Sequence, residues 1–401
     1  MNLNLYRSLQ RSSESKILLL VMDGLGGLPV KPGGPTELEA AHTPNLDEIA
    51  KNSICGLHIP IHAGLTPGSG PAHLALFGYD PIEYQVGRGA LAAVGINFDL
   101  QPEDVAARGN FCTIDDKGMI TDRRAGRIET EKNRELCRLL RQIDIPNVEI
   151  FIEPVKEYRF LLVMRGEGLS DKLGDTDPQA VRQKPVMPHP LEKEAEPTAN
   201  VLHRFIDRAR NILADHHPAN MVLLRGFSKR PNWPTLQEIF GIRCAAVAGY
   251  PMYRGLSKLI GMDIIETGDA PSEEIDKLEK HWNQFDYFYF HVKKTDSAGE
   301  DGDFERKVGL IEEVDRLMPR IMDLKPDVLI VTGDHSTPAI LKSHSWHPVP
   351  VLLYAKHCRP DSVERFGERY CLSGALGPRF PAKDLMGLAV ANAQRLDKFG
   401  A

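Results

Sequence analysis

An α/β fold, an open sheet with helices on both faces interrupted by a smaller α+β domain, is predicted by three features of this 401-residue chain. The first is a set of short apolar runs, Lys16 to Met22, Phe285 to Val292, Asp327 to Val331 and Val349 to Ala355, each apolar at nearly every position. Runs of that length without alternation belong to strands buried on both faces. The second is the amphipathic spacing of Phe304 to Leu324, where Val308, Ile311, Val314, Leu317 and Met318 fall on one helical face. The third is a change of texture between residues 102 and 243, with shorter runs and a basic cluster at Asp122 to Arg127. The expected organisation is therefore a flexible N-terminal extension over 1–15, a main domain split into 16–101 and 244–401, and an inserted domain over 102–243.

The elements follow in order. Residues 1–15 are polar and are expected to dock weakly. The strand ending at Met22 is closed by Asp23-Gly24-Leu25-Gly26-Gly27, and a Gly/Pro-rich loop leads to Thr43-Pro44-Asn45-Leu46-Asp47. Thr43 as cap and Pro44 in the first turn mark a helix start there. Gly64 to Tyr79 is glycine-rich and then apolar, and Ser69 lies where its helix begins, as an ordinary N-cap or as a nucleophile in the positive field of the helix terminus. Val148 to Gly166 has the pattern of a hairpin, and Asp171 to Pro197 that of a long loop. A helix from Thr198 to Asp215 and a strand from Met221 to Leu224 complete the insertion. A final helix runs from Ala382 to about Leu396.

Composition limits the function. The net charge of -6 and the absence of a basic tract argue against a nucleic-acid partner. Six cysteines without paired spacing suit a reduced, cytoplasmic setting, and no apolar run is long enough to span a bilayer. The chemistry concentrates at strand ends. Asp23 closes one, Asp296 and Glu300 follow another, Asp334 and His335 end a third, and His344 and His347 stand in the loop beyond it. Carboxylates at that density repel one another, and divalent cations relieve the repulsion. The insertion, by contrast, carries the cations Arg123, Arg124 and Arg127.

The order of Asp at a first strand end, a Thr-Pro-Asn-Leu-Asp helix start, a serine, a downstream Asp, an Asp-His pair and a last His resembles the alkaline phosphatase superfamily. Gly68-Ser69, Ala72-His73-Leu74, Phe77 to Pro81, Gly87-Arg88-Gly89, Asp122 to Arg127, Gly166 to Asp177 and Thr332 to Pro338 are similar to the archaeal-type cofactor-independent phosphoglycerate mutases. The resemblance implies an alkaline-phosphatase-like sheet, a lid-like inserted domain, and two divalent metals, manganese first, with magnesium, cobalt or zinc as alternatives. It implies one metal on Asp23, Ser69, Asp334 and His335, and another on Asp296, His344 and the residue four after Asp296. That residue is commonly His in the family and is Glu300 here, either a carboxylate ligand or a solvent-facing group whose place His347 or water fills. Gly70 also departs from the pattern, since Asp often follows the serine.

The resemblance further implies interconversion of 3-phosphoglycerate and 2-phosphoglycerate through phosphorylated Ser69, without 2,3-bisphosphoglycerate. A phosphomonoesterase or phosphotransferase on another small hydroxy acid is the alternative. Arg123, Arg124 and Arg127 are candidates for the substrate carboxylate because guanidinium offers a planar bidentate fork. Arg254 and Lys293, nearer the metals, are candidates for phosphoryl oxygens. His73 is expected to orient the serine loop. A homo-oligomer is compatible with all of this.

Overall fold

The computed structural model describes residues 2–400 and divides the chain into two compact units, residues 1–85 with 233–401, and residues 86–232. The insertion thus begins and ends earlier than the limits of 102 and 243 expected from texture. The helix Arg88–Gly95 is the reason: its Ala90 and Ala93 share one apolar cluster with Ala106, Leu161 and Val163 of the second unit. Gly89 permits this packing, because a Cβ there would lie 2.1 Å from the Ala106 carbonyl oxygen. The N-terminal residues correct a second expectation. Leu3–Ser8 is a helix with Leu3 buried, Tyr6 meets Phe240 edge to face at 5.8 Å, and the Gln10 amide donates to the Glu238 carbonyl at 2.6 Å. A six-residue helix is too short for its periodicity to be read in a sequence.

The first unit is built on an eight-stranded sheet. Its strand order is Gly377–Pro381, Ser53–Ile59, Val349–Ala355, Val328–Thr332, Ile17–Met22, Tyr287–Val292, Cys244–Ala248, Asp263–Ile265. Ile17–Met22 pairs in parallel with both Tyr287–Val292 and Val328–Thr332, in registers that set Met22 beside Val292 and Val21 beside Thr332. Val349–Ala355 runs antiparallel to its neighbours. Every residue of Ile17–Met22 is buried, so both faces of the central strand are covered. On one face Leu18, Leu20 and Met22 join Ile311, Val314 and Met318 of the helix Phe304–Asp323 in a single core. The three parallel strands end level with one another, and open α/β sheets place ligands outside such carboxyl ends.

The helix start at residue 43 is real but is capped from elsewhere. Thr43 makes no side-chain cap bond, and the buried carboxylate of Asp315 on the long helix accepts the Leu46 N–H at 2.8 Å instead. The second unit holds an antiparallel sheet in which Val105–Ile114 lies between Arg159–Arg165 and Met221–Ser228. Glu149–Lys156 and Arg159–Arg165 form the expected hairpin. The helix Glu196–Leu213 buries Leu202, Phe205, Ile206 and Ala209 in the same unit's core.

Candidate active site

Asp23, Asp296 and the Asp334-His335 pair each stand just beyond one of the three parallel strands, so the registers above bring them together. Asp23, Asp334 and His335 are completely buried, and Asp296 nearly so. His335 Nε2 lies 3.1 Å from Asp334 Oδ2 and 3.5 Å from Asp23 Oδ1. Those two carboxylate oxygens accept no hydrogen bond, although both are buried. A buried carboxylate oxygen left without a donor is costly, and a cation between these two oxygens removes the cost. The donor set Asp23, Asp334 and His335, with its ligand atoms within 4.8 Å of one another, therefore fits a divalent ion.

Ser69 completes this group. It is the first residue of the helix Ser69–Leu76, with Gly68 at the cap position, so its hydroxyl is not spent on capping. Ser69 Oγ lies 3.0 Å from His335 Nε2. A second cluster adjoins the first: Asp296, His335 and His344 also bring ligand atoms within 4.8 Å of one another. The His344 and His335 rings stack with centroids 3.7 Å apart. His344 donates from Nδ1 to the Pro67 carbonyl at 2.9 Å, which frees Nε2 to face Asp296 Oδ1 at 3.6 Å. Glu300 stands 3.8 Å from the same nitrogen with its side chain 54% exposed. Burial and the Asp296 charge raise its carboxyl above the usual range. Its oxygen is not part of the compact group, whereas it is close enough to His344 to share an ion. His347 turns the other way, with Nδ1 on Ser345 Oγ and its ring stacked on Trp346.

Burial opposes ionisation of Asp23, but Lys293, then His291 and His335, hold its carboxyl well below the ordinary value. Burial and Asp23 likewise work against Asp334, and His335 and His73 outweigh them. Lys293 spans the two clusters, bonded to Asp296 and 3.2 Å from Asp23 Oδ2. Of the two cations expected beside the metals, Lys293 is thus in the centre. Arg254 is ion-paired with Glu266 at 2.8 Å. His73, fully buried, bonds through Nδ1 to the Ser69 carbonyl at 2.8 Å and lies 3.2 Å from Asp334 Oδ2, so it ties the serine turn to a candidate ligand.

Within the second unit, Arg123 forks onto Asp177 at 2.9 and 2.7 Å, while Arg124 and Arg127 are exposed on a left-handed turn. A different cationic group stands out there. Strand register sets Arg108 directly opposite Arg225, and Arg159 opposite Asn110 two residues along. Arg88 begins the helix packed on the same strand, and Gly226 allows its approach, since a Cβ at that left-handed position would lie 2.7 Å from the Arg88 nitrogen. Burial, with Arg88, Arg159 and Arg225, pulls the Arg108 guanidinium down to about 10. Arg108 Nε is buried without a partner. Arg225 is partly balanced by Asp175 at 3.5 Å and Asp177 at 3.6 Å; like charges opposed across a sheet are destabilising, and an anion bound among the arginines would offset the rest. Sequence reasoning missed this group because its members are spread from residue 88 to 225; Arg88, Arg159 and Arg225 can be seen singly in the sequence, but not as neighbours.

Residues 50–220 match the family model for 2,3-bisphosphoglycerate-independent phosphoglycerate mutase. A protein of Aquifex aeolicus named probable 2,3-bisphosphoglycerate-independent phosphoglycerate mutase is 52% identical over 403 residues, covering 98% of each chain. Among solved structures, a Pyrococcus horikoshii protein superposes with a TM-score of 0.83 at 29% identity, covering 98% of this chain and all of that one. The cofactor-independent phosphoglycerate mutase of Thermoplasma acidophilum gives 0.71 at 31% identity, over 94% of this chain and all of its own. With identity of that order along nearly its whole length, the chain belongs to the 2,3-bisphosphoglycerate-independent phosphoglycerate mutase family.

Proposed function

We propose that the protein interconverts 3-phosphoglycerate and 2-phosphoglycerate through a phosphorylated Ser69, with two divalent cations, manganese first among them. The observation that carries this reading is the place of Ser69 Oγ, uncommitted to capping and 3.0 Å from His335 Nε2, beside two orphaned carboxylate oxygens. Asp23, Asp334, His335 and Ser69 would hold one ion, and Asp296, His344 and Glu300 the other. The ions, when bound, supply charge neutralisation at the phosphoryl oxygens and favour the ionised serine.

The protein's own groups do the rest. Ser69 Oγ attacks phosphorus, the bond from phosphorus to the glycerate oxygen breaks, and the serine proton leaves with that oxygen. The reverse attack by the neighbouring hydroxyl of glycerate regenerates Ser69. Lys293, paired with Asp23 and Asp296, contributes positive charge where the phosphoryl group would lie. The substrate carries a carboxylate as well as a phosphoryl group, and the group of Arg88, Arg108, Arg159 and Arg225 has the donor chemistry to hold such an anion. This reading moves the carboxylate grip from Arg124 and Arg127 to that cluster, and leaves Arg123 as the group that braces Asp177. A cytoplasmic location suits the six free cysteines, and among the described residues no helix is long and apolar enough to cross a membrane.

Quenching the protein during turnover of phosphoryl-labelled 3-phosphoglycerate should give label on the Ser69 peptide, together with 2-phosphoglycerate in a coupled assay. Ser69→Ala should lose both. Mutase turnover persisting in that variant would sink the phosphoserine route, and free phosphate as the main product would favour a phosphomonoesterase.

A further inference from the structure

The two oxygens of Asp23 are treated unequally by the fold. Oδ2 accepts a hydrogen bond from the Tyr253 hydroxyl and lies 3.2 Å from both His291 Nε2 and Lys293 Nζ. Oδ1 receives no hydrogen bond and faces His335. Three groups thus gather at one oxygen, and of these Tyr253 donates it a hydrogen bond, whereas Lys293 is bonded to Asp296. Tyr253 is held in place by its surroundings. It is 1% exposed, sits on the helix Pro251–Leu259, and its ring packs against His73 at 4.7 Å and His291 at 3.9 Å.

We propose that Tyr253 is a positioning residue of the phosphoryl-transfer centre, anchoring Asp23 through Oδ2 so that Oδ1 alone is offered to a divalent cation beside Ser69. A carboxylate without that anchor can turn about its own axis and present either oxygen or both. The freedom must then be given up when an ion binds. Nothing in the role of Asp23 as a candidate ligand requires a tyrosine behind it; the requirement comes from the asymmetry between its oxygens. The inference rests on the two-cation reading above.

The test is calorimetric titration of manganese(II) into the metal-stripped full chain, for wild type, Tyr253→Phe and Tyr253→Leu, with the melting temperature of each metal-free protein. Tyr253→Phe keeps the ring packing and removes only the hydroxyl. Loss of a group that orients a ligand typically weakens metal binding about 10- to 100-fold, and that loss is expected in Tyr253→Phe with a metal-free melting temperature within about 4 °C of wild type. Tyr253→Leu should bind as weakly and melt lower, since it also loses the ring. Affinity in Tyr253→Phe weakened by less than about fivefold would overturn the proposal. So would a fall in its metal-free melting temperature beyond that window, which would make the Tyr253 hydroxyl a stabilising bond of the fold. Failure of the wild type itself to bind manganese would instead overturn the two-cation reading.

Discussion

Lys307→Met is expected to cost more than any surface change in this protein, because Lys307 is an ammonium group sealed inside it. The side chain is completely buried. Its nitrogen donates to the carbonyls of Gly24 at 2.8 Å, Gly26 at 3.1 Å and Thr337 at 2.9 Å, using all three of its hydrogens. Glu37 Oε1 stands 4.0 Å away, and the Glu37 carboxylate accepts from the N–H groups of Leu28 and Ala339. The lysine therefore clamps the turn after Asp23 to the turn after His335. Methionine fills the volume but takes the donor from the Thr337 carbonyl, leaves the Gly24 and Gly26 carbonyls to share the Thr337 N–H, and leaves Glu37 without a counter-charge. Breaking a buried pair from one side costs about 3–5 kcal/mol, and we take that as the total, since the carbonyl losses overlap with it. Spread over a unit of about 250 residues, this lowers the melting temperature by roughly 6–9 °C. The assay is thermal unfolding followed by circular dichroism, for Lys307→Met, Glu37→Gln and the double variant. The double variant should recover part of the loss, because neither charge is then left alone. A melting temperature for Lys307→Met within about 2 °C of wild type would refute the clamp.

Three further outcomes are expected. Burial raises the Glu274 carboxyl from its ordinary 4.5 to about 9, so the folded protein holds a proton that the unfolded chain releases, and stability falls as pH climbs through that interval. Glu274→Gln, the isostere of the protonated acid, should flatten this slope and raise the melting temperature more at pH 8 than at pH 5; an equal effect at both would contradict it. Arg108→Ala should raise the KM for 3-phosphoglycerate about 10- to 100-fold, the worth of a charge-assisted hydrogen bond, with little loss of stability because crowding among the arginines is relieved. Normal KM would remove the cluster from substrate binding. Glu300→His replaces a hard oxygen by imidazole and should shift selectivity from manganese toward zinc roughly tenfold; competitive titration with unchanged selectivity would exclude Glu300 as a ligand.

What could be read without coordinates was whatever is local. The apolar run Ile17–Met22 reports its double burial directly, and a carboxylate after such a run has only the strand end to occupy. For that reason Asp23, Asp296, Asp334 and His335 could be chosen one by one and later found together. What stayed hidden depends on register or on distant partners. Nothing in residues 105–114 announces that Arg108 will face Arg225, because antiparallel pairing is set by turns and by the far strand. The cap of the helix at Pro44 was misjudged for the same reason, since Asp315 lies 270 residues from Asn45. Domain limits failed where small residues were involved. Arg88–Gly95 has the composition of many helices, and only its packing assigns it to the second unit. Tyr253 carried no signal at all, being a tyrosine in an amphipathic helix.

Thr337 sits two residues after His335 and touches two candidate ligands, Asp296 Oδ1 at 2.6 Å and His335 Nδ1 at 3.0 Å. A hydroxyl owns a single hydrogen. A carboxylate can only accept, so Thr337 gives that hydrogen to Asp296, and the contact with His335 must then be supplied by a hydrogen on the ring. The imidazole is thereby fixed as the tautomer protonated at Nδ1, and the lone pair is at Nε2, the atom that looks toward Ser69 and the orphaned oxygens. Valine has the same shape as threonine and would leave the ring free to carry its hydrogen on either nitrogen. The polarity of the whole centre, which atoms give and which receive, is in this way set by the direction of one threonine O–H.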